Sequence, residues 1–107
     1  MAFVTAEKGN FEELSRKDGT VVEFWAPWCG YCKRLAPVLK QLMNEYPDLM
    51  IAQVNIDDEE TIADTYHIET IPTLMVFHDG KPSDLLIAPQ AKAQIVDWLK
   101  EQKAAGI

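Results

Sequence analysis

The chain is poor in cysteine, in basic residues and in long apolar runs. Only 2 of its 107 residues are cysteine, too few for a multi-bridge disulfide framework or a four-thiolate zinc site. No apolar stretch approaches the ~20 residues that a helical membrane span requires, so none is expected. Lys and Arg number 10 against 17 Asp and Glu, a net charge of -7 that repels phosphate backbones and argues against nucleic acid as a partner. The opening MAFVTAEKGN lacks the basic-then-apolar pattern of a signal peptide, and a cytoplasmic location is the expectation. Five glycines and six prolines are scattered as punctuation, without a repeat, a linker or a low-complexity stretch. What is present is ordinary globular composition, 48% hydrophobic and 25% charged. Residues 1–107 are expected to form one domain that buries roughly two-thirds of its unfolded surface.

Hydrophobic patterning gives the order βαβαβαββα. Phe3 to Thr5 reads as a short strand, followed by a helix with Asn10 as N-cap and Glu13 three residues on, a capping-box arrangement ended by Gly19. Thr20 to Ala26 (TVVEFWA) is apolar without clean alternation, as a strand buried on both faces should be. Leu35, Leu39, Leu42, Met43 and Tyr46 recur at helical spacing, and Pro47 stops that helix. Met50 to Ile56 predicts another strand, and Asp57 and Glu60 are placed to cap a short helix reaching about Tyr66. Thr73 to His78 is a strand, and Asp79-Gly80 turns it back to a partner near Leu85 to Ile87. A last helix should turn Ala91, Ile95, Trp98 and Leu99 inward. Strands joined by single helices imply right-handed parallel crossovers, so the fold class is α/β, a central mixed sheet with helices on both faces.

Both cysteines lie in the run Trp28-Cys29-Gly30-Tyr31-Cys32-Lys33, where a strand meets a helix start. Free N–H groups and the helix dipole favour a thiolate at Cys29. One helical turn returns Cys32 to Cys29, close enough to attack a mixed disulfide or close a small ring. A nucleophile and a resolver are the two roles thiol–disulfide exchange requires. The competing readings are half of a zinc site, for which only His67 and His78 remain as further ligands, a structural disulfide, or a pair of inert thiols.

The run VVEFWAPWCGYCKRLAP, with VNID and IETIPTLMVFHDGK behind it, resembles the thioredoxin family over nearly the whole chain. That resemblance implies the thioredoxin fold, a five-stranded mixed sheet flanked by four helices, with Pro37 bending the active-site helix and a cis peptide before Pro72 facing the cysteines. It implies that the backbone of Ile71 pairs with a bound substrate strand. It also implies disulfide-bearing protein substrates, recharging by a thioredoxin reductase or an equivalent donor, and a monomer with no bound cofactor or metal.

Three departures from the common family pattern carry information. Gly30-Tyr31 stands where Gly-Pro is usual, and a Tyr31 N–H directed at the Cys29 sulfur would stabilise the thiolate and make the reduction potential less negative than a Tyr31→Pro version would have; the alternative is an aromatic at the substrate rim. Glu23 stands where Asp is usual. Buried beside Cys32 it should resist ionisation and could take and return that thiol's proton, more so because Gln53 replaces the customary lysine. Ala88 replaces glycine, so a methyl group either narrows the substrate groove or is absorbed by a small adjustment. Trp28 is expected to be exposed as an apolar contact for protein substrates and Trp25 to be core; His67 and His78 read as surface residues. The leading reading is a disulfide reductase using Cys29, Cys32 and Glu23. Its alternatives are an oxidant or isomerase of the disulfide-isomerase type, suggested by Glu23 and APWCG, and a non-catalytic binding module, against which both cysteines argue.

Overall fold

Alternation along the central strands decides which helix covers which face. The computed structural model of the chain describes residues 2–107. Its elements are β1 (Ala2–Thr5), α1 (Phe11–Arg16), β2 (Thr20–Trp25), α2 (Gly30–Glu45), β3 (Met50–Asn55), α3 (Glu60–Thr65), β4 (Thr73–His78), β5 (Lys81–Pro82), β6 (Leu86–Ile87) and α4 (Lys92–Glu101). The sheet runs β1-β3-β2-β4-β5, with β6 also on β4. β1 and β2 lie parallel to β3, whereas β4 is antiparallel to β2. Val21, Ile51, Leu74 and Val76 meet Leu35, Leu39, Leu42 and Met43 of α2 and Ile95 and Leu99 of α4. The alternate residues Val22, Phe24, Ala52, Val54, Met75 and Phe77 face Phe11 and Leu14 of α1, with Ile62 and Tyr66 from the α3 region. At about 1.5–3 kcal/mol per fully buried aliphatic or aromatic side chain, these two layers supply the main drive to fold.

The family's fold is therefore present, with one correction to the sheet. The strand expected near Leu85 to Ile87 is two short strands, which makes six in all. Asp79 (φ 52°) and Gly80 (φ 78°) form the tight turn, pairing His78 with Lys81 and Phe77 with Pro82. Pairing resumes at Leu74 with Leu86, three steps along β4 against four along its partner. The extra residue is a bulge. There Ser83 N–H donates to the Val76 carbonyl (2.8 Å), and the Ser83 hydroxyl accepts the Val76 N–H (2.9 Å).

Two expected caps are not formed. Asn10 makes no capping bond to α1; its carbonyl oxygen accepts the Glu7 N–H (2.7 Å) and its amide donates to the Thr5 carbonyl (2.9 Å), closing the β1–α1 loop instead. Asp57 does not cap α3 either, because Glu59 occupies that N-cap position without a side-chain bond there. Ala91 is exposed and Trp98 half-buried, so Ile95 and Leu99 carry the buried stripe of α4. Trp25 is half-buried beside the cysteines rather than fully in the core.

Candidate active site

The link from β2 to α2 builds the site. Ala26, buried at the end of the strand, accepts the Cys29 N–H (3.2 Å), which turns the chain through Pro27 and Trp28. Cys29 is then the N-cap of α2: its carbonyl accepts the Lys33 N–H (3.1 Å) and its Sγ accepts the Cys32 N–H (3.1 Å). Sulfur here does what a serine or aspartate oxygen does at other helix starts, which favours negative charge on it. The expected donor was Tyr31; the N–H that reaches the sulfur is that of Cys32, because an N-cap group faces the third residue along. Cys29 and Cys32 are joined as a disulfide, their Cα atoms 5.2 Å apart. Exposure is 7% for Cys29 and 4% for Cys32, with Ala26, Trp25, Tyr31, Ile56 and Ile71 packed around them.

Ile71 and Pro72 come from the segment entering β4. Their peptide bond is cis, and the Ile71 carbonyl oxygen lies 4.0 Å from Cys29 Sγ. Pro72 is buried and its carbonyl accepts the Ala88 N–H (2.8 Å), which seats Ala88 beside it. Ala88 has φ 45°, a left-handed conformation that costs a residue with a Cβ about 1–2 kcal/mol. Gly30 needs no such freedom; it is exposed, and a Cβ there would meet only Arg34 Nη1, at 3.7 Å. Trp28 is 65% exposed, its indole N–H donating to Asp57 Oδ2 (2.8 Å). Tyr31 directs its hydroxyl at the carbonyls of Ala88 (3.0 Å) and Pro89 (3.2 Å).

Glu23 and Gln53 are register partners on β2 and β3. Alternation puts both on the sheet face that α2 covers, since Val21 and Ile51, two residues before them, pack against that helix. Glu23 is 2% exposed and accepts a hydrogen bond from the Gln53 amide (2.8 Å). Burial pushes its carboxyl up to about 7, against the Gln53 bond, which lowers it.

The structure thus brings Cys29, Cys32, Trp28, Gly30, Tyr31, Ile71, Pro72 and Ala88 to one end of the sheet, with Glu23 beneath α2. Asp57, as the partner of Trp28, escaped the sequence reading because nothing local links residues 29 apart. Ile87, 54% exposed next to Ala88, did carry a signal: in the run Leu85-Leu86-Ile87, pleating must turn one of the neighbours outward. His78 is more than a surface residue, since its ring contacts the Asp18 carboxylate and the Gln102 carbonyl.

The family model for thioredoxin matches residues 2–101. The chain belongs to the thioredoxin family. It is 37% identical over 100 residues to a thioredoxin of Staphylococcus haemolyticus, covering 92% of this chain and 96% of that one. Thioredoxin 1 of Synechococcus elongatus is 36% identical over 99 residues, 92% of each chain. A chloroplastic M-type thioredoxin of Chlamydomonas reinhardtii is 42% identical over 82 residues, 76% of this chain and 59% of its own. With its paired Cys29 and Cys32, the protein is a thiol–disulfide oxidoreductase of this family, one that reduces protein disulfides. Nothing in these relatives favours the disulfide-isomerase type. No helix among the described residues is long and apolar enough to cross a membrane.

Proposed function

We propose that Cys29 is the attacking cysteine and Cys32 the resolving one. The asymmetry of the pair supports this, because Cys29 Sγ is the helix cap and holds the Cys32 N–H while Cys32 is the less exposed of the two. In the reduced protein, the Cys29 thiolate attacks one sulfur of a target disulfide. That S–S bond breaks, a mixed disulfide forms and the other target sulfur leaves as a thiolate. Deprotonated Cys32 then attacks Cys29 Sγ, expels the second target thiolate and closes the Cys29–Cys32 disulfide. Two electrons pass to the target, whose two thiolates take up two protons. Glu23, with its carboxyl near 7, is poised to accept the Cys32 proton and return it.

Trp28, Gly30, Tyr31, Ile71, Pro72 and Ala88 form the surface on which an extended segment of the target docks, its backbone pairing with Ile71. A thioredoxin reductase or an equivalent donor restores the dithiol, and no cofactor is bound. Residues 1–107 act as one domain and as a monomer; only Trp28 and Ile87 are large exposed hydrophobics among the described residues, too little for a stable interface between copies. We place this cycle in the cytoplasm, where a reductant is at hand.

Two measurements test the assignment. Cys32→Ser should accumulate a mixed disulfide with a disulfide-bearing protein, and Cys29→Ser should not; trapping by the Cys29 variant alone would reverse the roles. A reduction potential near ~-270 mV supports a reductant, and one near ~-180 mV would point to an isomerase.

A further inference from the structure

Two of the sequence departures, Tyr31 and Ala88, touch each other. The Tyr31 hydroxyl is shared between the carbonyls of Ala88 and Pro89, which ties α2 to the segment after β6. The Tyr31 ring is also used, because the Arg34 guanidinium lies over it, 5.2 Å from the centroid. Helical spacing explains the stacking: Arg34 follows Tyr31 by three residues and Gly30 by four, so all three share one face of the first turns of α2. Tyr31, Arg34, Leu35, Val38, Pro89 and Gln90 line a cleft of about 280 Å³. Arg34 makes no ion pair with any described residue. Its planar fork is thus held beside the residue that follows Cys29, with its hydrogen-bond donors open for a carboxylate.

We propose that Arg34, held over Tyr31, is a specificity-determining residue that reads an acidic side chain next to the target disulfide. The inference rests on Cys29 being the attacking cysteine. The other flank of the site carries an excess of the opposite sign, since Trp28 is bonded to Asp57, which lines a second cleft with Asp58, Glu59, Glu60 and a single cation, Lys8. A docked segment therefore meets the Arg34 guanidinium on one side and four carboxylates against one lysine on the other, and an acidic residue is better matched to the Arg34 side. The net charge of -7 works against acidic partners at long range. At about 0.15 M salt that field is screened beyond ~8 Å, so the local guanidinium decides.

The test uses disulfide-bearing peptides that differ at one residue beside the target cysteine, Glu, Gln or Lys, with that residue placed before the cysteine in one set and after it in another. In one of the two sets, the unaltered protein should show a kcat/KM about threefold to fivefold higher for the Glu than for the Lys peptide, as one exposed ion pair allows. Arg34→Gln should bring that ratio to one or below, Arg34→Glu should invert it, and Arg34→Lys should keep only part of it. A preference for the Lys peptide in both sets, or a ratio unmoved by Arg34→Gln, overturns the proposal. Trapping of the Gln peptide as a mixed disulfide by Cys29→Ser rather than by Cys32→Ser would instead overturn the assignment of Cys29.

Discussion

A single buried carboxyl links stability to pH here. Glu23 is almost wholly enclosed and its only hydrogen-bond donor among the described residues is the neutral Gln53 amide, where a cation would have lowered its pKa further. Between the usual 4.5 and about 7, the folded protein keeps a proton that the unfolded chain has released. Stability must then fall as pH rises through that window, by up to about 3 kcal/mol. Denaturant titrations of Glu23→Gln should lack this slope, and an unchanged slope would show that another group carries it. The same variant tests the proton relay, since the rate of disulfide reduction should lose its inflection near neutral pH. The type of residue 23 was legible in the strand's composition, whereas its Gln53 partner came into view only with the family pattern. What the sequence could not show is how little water reaches the pair, because burial is set by α2 lying over that face.

At the scale of elements, the first turn of α2 and the β6–α4 segment form a unit. Ala88 is held in a left-handed conformation by its N–H bond to Pro72 and by the Tyr31 hydroxyl on its carbonyl. Glycine would relieve the ~1–2 kcal/mol left-handed cost, against the ~0.4–1 kcal/mol that it adds through a freer unfolded chain. Ala88→Gly should thus stabilise the protein by roughly 0.5–1 kcal/mol in equilibrium unfolding. A loss of stability would mean that the methyl group packs usefully. Element positions were largely readable, since β2, β4 and α2 follow from apolar runs bounded by Gly19, Gly80 and Pro47. The caps were not, because Asn10 had backbone partners in its own loop that competed with the helix end. The bulge at Ser83 was equally invisible: a serine hydroxyl replacing a strand carbonyl leaves no mark on hydrophobic periodicity.

Across the whole molecule, His78 joins three distant pieces of chain. Its Nδ1 faces the Asp18 carboxylate of the α1–β2 turn, and its Nε2 lies 2.8 Å from the Gln102 carbonyl at the end of α4. Both partners are acceptors, so the ring satisfies both only when each nitrogen carries a proton. The Gln102 carbonyl, then the Asp18 carboxylate, raise its pKa above the usual 6.5, while burial and nearby Lys103 oppose them. This clasp contributes fully below about pH 6.5 and is lost as pH rises through the folded-state value. The stability gap between the native chain and His78→Gln should therefore narrow from pH 6 to 8, measured in the Glu23→Gln background to remove the carboxyl's share. A constant gap would sink the clasp. The sequence by itself determined the strand and helix order apart from the split of the last strand, the two-layer cover of the sheet and the redox pair, because periodicity and a three-residue separation are local properties. Only the tertiary structure decided that Trp28 leans on Asp57, that Tyr31 reaches Ala88 from 57 residues away, and that His78 bridges two ends of the fold. Those contacts depend on sheet register and on which helix lies over which face, and the pattern of any single segment encodes neither.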